Sequence, residues 1–130
     1  MDTRAEVIDT LLLPSGKAIV SMPLPPGTNH RLMPAHGRLI LSRDARGFLD
    51  TVGTALRFWR ARHGFQTITE HTALEVWVVM GRVGSDSHNY LKELCDVLEV
   101  AKIVENDSLL LPQIKGIYHN SKSPEIIIKL

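Results

Sequence analysis

The stretch Leu74-Glu75-Val76-Trp77-Val78-Val79-Met80 runs through Gly81-Arg82-Val83-Gly84-Ser85-Asp86 into a helical pattern over residues 89 to about 101, and its reading decides the fold. The first run is continuous, apolar and rich in β-branched residues, the composition of a strand. Two glycines then punctuate the chain. Beyond them Leu91, Leu94, Cys95 and Leu98 recur at three- and four-residue spacing as the buried stripe of a helix. Lys92 and Asp96, four apart, share another face of it.

The segments on either side extend this strand-turn-helix unit. Upstream, Ala45, Phe48, Leu49, Val52, Ala55, Leu56 and Trp59 line one face of a second helix, with Ser42 as its N-cap. Gly47 and Gly53 each weaken that helix by about 1 kcal/mol relative to alanine, so packing must stabilise it. Residues 17–22 and 38–41 read as strands, separated by the rigid loop Pro23-Leu24-Pro25-Pro26-Gly27-Thr28-Asn29. Downstream, Glu105-Asn106-Asp107-Ser108 is a turn, and residues 109–111, 113–118 and 125–130 complete the sheet. Pro112 implies an edge position or a bulge. The expectation is a small α+β domain over residues 17–130, a mixed sheet with two main helices in the order strand, strand, helix, strand, helix, strand, strand. Residues 1–16 read as an N-terminal extension closed by Leu11-Leu12-Leu13-Pro14-Ser15-Gly16.

With 130 residues, 44% of them hydrophobic, the chain can bury one proper core. No apolar run approaches the roughly 20 residues that span a bilayer, and the start Met1-Asp2-Thr3-Arg4-Ala5-Glu6 lacks a signal-peptide pattern, so a cytoplasmic protein without a membrane partner is expected. One cysteine, Cys95, leaves no internal disulfide and no Cys-rich zinc cage, and reads as core in a reducing compartment. The net charge of +1 hides two unlike halves: residues 1–65 hold nine Lys/Arg against five Asp/Glu, and residues 66–130 six against nine. Arginines between Arg31 and Arg62, joined by His30, His36 and His63, form a candidate phosphate-contacting region. A solvated helix face accounts for the same pattern.

Three potential ligands converge in this topology: Asp86 and His88 at the strand-to-helix junction, and Asp107 in the turn entering the next strand. Residues two apart point the same way in an extended or turn segment, whereas on a helix they diverge by about 200°. Paired carboxylates suit Mg²⁺, completed by waters and substrate phosphate oxygens, and that arrangement serves phosphodiester hydrolysis. Lys92 is placed to add positive charge to the transition state. On spacing alone, Asp86 serves equally as an N-cap, Asp107 as a turn residue, and Lys92 as a partner of Asp96 or Glu99. His63, His71 and His119 show no ligand spacing. Trp59 and Trp77 sit on regular elements and read as core or interface.

The segment Asp86-Ser87-His88-Asn89-Tyr90-Leu91-Lys92, followed by Asp96 and then Asn106-Asp107, resembles the RusA family of Holliday junction resolvases, whose pattern is Asp-x-Asp-Asn-x-x-Lys-x-x-x-Asp with an acidic pair downstream. The proline loop ending in Asn29, with Gly37-Arg38 and the Ser-initiated helix beyond it, is similar to the family's N-terminal signature. The resemblance covers about residues 17–130. It implies metal-binding roles for Asp86 and Asp107, assistance to cleavage by Lys92, and the motif asparagine at Asn89. It also places Asn29, Arg31, Arg38, Arg43 and Arg46 near DNA. His88 stands where the family has an aspartate, and an imidazole nitrogen suits Mg²⁺ poorly, Mn²⁺ better and Zn²⁺ better still. The implied protein is a homodimer that cuts four-way junctions and other branched DNA with a divalent metal, Mg²⁺ by family or Mn²⁺ given His88. The alternatives are a junction-binding protein whose catalysis is weak or lost through His88, and an interaction protein that keeps only the fold.

Overall fold

The computed structural model describes residues 7–26, 32–35, 37–81, 90–119 and 121–130. In chain order its elements are β1 (Asp9–Leu12), β2 (Ala18–Pro23), β3 (Leu32–Ala35), β4 (Arg38–Leu41), α1 (Arg43–His63), β5 (Thr72–Val79), α2 (Leu91–Val100), a 3-10 turn (Asp107–Leu109), β6 (Leu110–Tyr118) and β7 (Glu125–Lys129). Five strands make one mixed sheet in the order β1-β2-β7-β5-β6, and β3 pairs with β4 as a separate hairpin. The architecture is α+β with two main helices, as the sequence pattern implies. Among the described residues no helix is long and apolar enough to cross a membrane.

Strand β5 sits between β7, antiparallel, and β6, parallel. The parallel pair requires a crossover, and α2 supplies it. Along β5 the side chains of Leu74, Val76 and Val78 are fully buried, while Glu75, Trp77 and Val79 are half-buried on the other face. Ala18, Val20 and Met22 of β2 and Ile126 and Ile128 of β7 share the buried face with Leu74, Val76 and Val78. Ala45, Phe48, Val52, Leu56 and Trp59 of α1 and Leu94, Val97 and Leu98 of α2 pack onto it. Each such Leu, Ile or Val contributes roughly 1.5–3 kcal/mol by leaving water.

Helix α1 begins where Ser42 Oγ accepts the Ala45 amide at 3.1 Å and ends at Gly64, whose φ of 65° suits a left-handed cap. A Cβ on Gly53 would lie 3.4 Å from Val100 Cγ1 and 3.7 Å from Val97 Cγ2, so this glycine marks the place where the two helices meet. There Arg57 Nη2 donates to the Val100 carbonyl at 2.8 Å. It supplies positive charge at an α2 C-terminus whose last turn has no basic residue.

The structure departs from the sequence reading in four places. Residues Asp9–Leu12, within the stretch read as an N-terminal extension with no strand assigned, form the edge strand β1, in register with β2 through Leu11↔Ile19 and Leu12↔Ala18. Strand β3 carries no strand pattern of its own because Pro34 interrupts it, yet it pairs with β4 throughout. The two runs around Pro112 are one strand, β6, which lies at the sheet edge, the first of the two positions that proline implies; Pro112 pairs in register with Leu74, and the strand's register shift comes later, after the Val76↔Ile114 pair. On α2 the buried stripe is Glu93, Leu94, Val97 and Leu98, while Leu91 and Cys95 are only partly buried. A charged residue inside the stripe conceals its centre from a hydrophobic pattern.

Candidate active site

Strand β2 is antiparallel to β7, which is antiparallel to β5, so β2 and β5 finish at the same end of the sheet. There a groove of about 550 Å³ between Leu24-Pro25-Pro26 and the start of α1 is lined by Pro25, Pro26, Arg43, Asp44, Gly47 and Phe48. Asp107 precedes β6, whose first residue, Leu110, pairs with Thr72 at the start of β5.

Lys92 occupies the first turn of α2. Its Nζ is 3.1 Å from Asp96 Oδ1, one helical turn on, and 3.6 Å from Asp107 Oδ2, which arrives from beyond the helix. The return path explains how. Helix α2 closes in a Schellman arrangement: the Ile103 amide donates to the Leu98 carbonyl at 2.9 Å and the Lys102 amide to that of Glu99 at 3.0 Å. Lys102 takes the left-handed φ of 62° that usually selects glycine. Leu98 and Ile103 seal this cap as fully buried residues. The reversed chain is pinned to the α1–β5 connection by the Ile68 amide on the Ile103 carbonyl and the Glu105 amide on the Ile68 carbonyl, each 2.9 Å. Thr67 Oγ1 also donates to the Lys102 carbonyl at 2.8 Å.

Asp107 is then held from behind. Its amide donates to Glu99 Oε1 at 2.9 Å, and Asn106 Oδ1 accepts the Ser108 amide at 2.9 Å to cap the 3-10 turn. The carboxylate thus faces Lys92 on a fixed backbone. Asp96 is 14% exposed, Asp107 29% and Lys92 53%, so the carboxylates are partly withdrawn from water while the ammonium is open to it. Cys95 lies beside this group. Its thiol is pushed up to about 11, first by burial and then by the Asp107 and Asp96 carboxylates, against the opposing pull of Lys92.

Of the site residues expected from sequence, the structure brings together Lys92 and Asp107. It places Arg38, Arg43 and Arg46 on exposed positions of β4 and the first turn of α1. Asp86, His88, Asn89, Asn29 and Arg31 lie outside the described residues. Asp96 and Glu99, which the sequence offers as ion-pair partners of Lys92 and not as site residues, join the cluster: Asp96 pairs with Lys92 and Glu99 accepts the Asp107 amide. Their spacing of four and seven from Lys92 puts all three on one helix face. Among the described residues no three His, Cys, Asp or Glu side chains are grouped to hold a metal. The pair Asp96 and Asp107 nonetheless fits a hard cation in its chemistry, because two carboxylates already converge on one positive atom. Neither a protein-family model nor a curated protein matches the chain.

Proposed function

We propose that this chain is a metal-dependent endonuclease of the RusA type that cuts four-way junctions and other branched DNA by phosphodiester hydrolysis. The observation that carries the reading is the approach of Lys92 to Asp107, two residues the motif resemblance assigns to one site. Asp107, with Asp96 beside it and Asp86 and His88 as further donors, would hold a divalent ion, Mg²⁺ by family or Mn²⁺ given the imidazole of His88. Such an ion supplies Lewis acidity at the scissile phosphate and lowers the pKa of water. Lys92 places positive charge where the phosphorane develops negative charge. Glu99 fixes the Asp107 backbone and so the direction of its carboxylate. Arg38, Arg43 and Arg46, with Asn29, Arg31 and Asn89, would contact DNA phosphates. A homodimer would present two such sites to the opposed strands of an approximately two-fold junction.

A second reading has its own support. His88 replaces an acidic donor, and the Lys92 ammonium itself balances Asp96 and Asp107, so a junction-binding protein with weak or lost catalysis fits the same geometry. Cleavage of a synthetic four-way junction in Mg²⁺, Mn²⁺ and Zn²⁺, by the natural protein and by His88→Asp, separates the two. Cutting by the natural protein with any of the ions supports the nuclease. Cutting by His88→Asp alone supports the binding protein. Junction affinity no greater than duplex affinity at two salt concentrations would dismiss both.

A further inference from the structure

We infer that the β3–β4 hairpin is a wedge for branched DNA: the apolar pair Met33 and Ile40 enters an interrupted base stack while Arg38, Arg43 and Arg46 hold the phosphates around it. The inference rests on the DNA reading above and names the element that tells a branch point from continuous duplex. Among the described residues the hairpin joins no strand of the five-stranded sheet. It is an excursion between the end of β2 at Pro23 and the start of α1 at Arg43, and neither Met33 nor Ile40 belongs to the core cluster.

The register fixes what the hairpin presents. Met33 pairs with Ile40 and Ala35 with Arg38, so alternation along β4 sets Arg38 on the same face as Met33 and Ile40. Met33 is 40% exposed and Ile40 36%, and Arg38 is exposed beside them. Leu41, on the opposite face, is half-buried where β4 runs into α1. Gly37 turns the chain with a left-handed φ of 75°. A Cβ placed on it would meet no atom of the described residues within 4 Å beyond its chain neighbours, so the tip stands clear. Strands of four residues reach about 13 Å, more than the roughly 8 Å depth of a DNA groove, and the major groove admits a two-stranded ribbon.

Charge selects the occupant. Between residues 31 and 46 the chain holds Arg31, Arg38, Arg43 and Arg46 against a single acid, Asp44. Arg43 and Arg46 are exposed in the first turn of α1, directly after β4, and Arg43 lines the groove against Pro25 and Pro26. An apolar pair among cations suits a polyanion with apolar faces inside it, which is the make-up of a base stack. Methionine and isoleucine are among the side chains that proteins insert between base steps, and what opposes insertion is the stacking it breaks. Continuous duplex opposes it in full. At the branch point of a four-way junction the stack is already interrupted, so the same insertion meets less resistance and the hairpin favours the branch.

The test uses a synthetic four-way junction with a fluorescent adenine analogue, quenched by stacking, beside the branch point, in chelator so that no strand is cut. Binding of the natural protein is expected to raise the fluorescence as stacking is lost. Met33→Ser and Ile40→Thr should each remove most of that rise and weaken junction affinity about 10-fold, the effect of losing one buried apolar side chain. Their duplex affinity, salt slope and far-ultraviolet circular dichroism should stay unchanged. Met33→Leu keeps the apolar bulk and should keep both the rise and the affinity. Arg38→Ala should weaken binding to junction and duplex alike and reduce the salt slope by about one. A double variant, Met33→Ser with Ile40→Thr, that retains the fluorescence rise and the junction preference overturns the inference. So does an equal loss of affinity for duplex, or a fall in sedimenting mass, which makes the pair a protein contact. If the natural protein cuts junctions and the double variant matches it in binding and fluorescence, the nuclease reading stands and the wedge falls. Wedge behaviour without cutting in any metal ion keeps the wedge and removes the nuclease reading.

Discussion

Lys92 Nζ stands 3.6 Å from Asp107 Oδ2, a contact between the first turn of α2 and the turn that follows it, made possible by the left-handed Lys102 at the helix end. Because Lys92 is half exposed, this ion pair contributes at most about 1 kcal/mol to stability. Its removal should therefore be visible in function and nearly silent in folding. Asp107→Asn is expected to lower junction cleavage at least ~100-fold, leave junction affinity within a few-fold, and shift the melting temperature little. Glu99→Ala, which removes the acceptor behind Asp107, should cost roughly 10- to 100-fold, in the range of outer-shell ligands. Nicking assays beside thermal melts check both. A large fall in melting temperature would reassign Asp107 to structure.

Lys92→Gln separates charge compensation from catalysis. Removing the ammonium leaves Asp96 and Asp107 without the positive atom on which they converge, so divalent-ion affinity should rise. Cleavage should fall by about 10²- to 10³-fold at saturating ion, because the charge aimed at the transition state is gone. Titration with Mn²⁺ and single-turnover cleavage measure the two changes. Parallel losses of ion affinity and cleavage would contradict this geometry.

Arginine contacts at the start of α1 predict a position-dependent salt effect. Arg43→Ala and Arg46→Ala should each weaken junction binding and reduce the slope of log affinity against log salt by about one. Arg62→Ala, in the last turn of the same helix, should change the slope little. Equal effects at all three positions would indicate a diffuse charge effect without a defined DNA-facing end.

What the sequence disclosed, and what it did not, divides along physical lines. Ser42 and the stripe from Ala45 to Trp59 identify α1 because periodicity, cap and burial agree there. Strand β1 leaves no pattern in the sequence because all four of its residues are exposed, so they need no alternation. The end of α2 leaves none because Lys102 occupies a position normally marked by glycine, and that cap is what carries Asp107 back to Lys92. The approach of Lys92 to Asp107 thus follows from the motif alone, whereas the adjoining Asp96 and Glu99 follow from helix geometry once the helix is placed.

Two glycines predict opposite outcomes for the same substitution. Gly53→Ala puts a methyl in van der Waals contact with Val97 and Val100 and removes a helix-weakening residue, so it should be neutral or stabilise by up to about 1 kcal/mol. Gly116→Ala forces its methyl to within 2.9 Å of Trp77 Cδ1 and 3.1 Å of the Tyr118 ring. It should destabilise by roughly 1–3 kcal/mol, less if Tyr118 swings outward. Chemical denaturation of the two variants tests the contrast.

Cys95 reports on the electrostatics of the candidate site without reference to substrate. Its thiol pKa is raised from 9.0 to about 11, by burial first and by Asp107 and Asp96 next, while Lys92 lowers it. A raised folded value favours the protonated thiol, so the associated stability is fully present below pH 9 and is lost as pH climbs through 9 toward 11. At pH 8 the native thiolate fraction should be about 100-fold below that of the unfolded chain, and alkylation correspondingly slow. The two site variants should then move in opposite directions. Asp107→Asn removes an anion and should bring the pKa down and speed alkylation; Lys92→Gln removes the cation and should push it up and slow alkylation. The pH dependence of iodoacetamide labelling measures both. A common direction would mean that burial alone governs the thiol and that the carboxylates and ammonium do not share its surroundings.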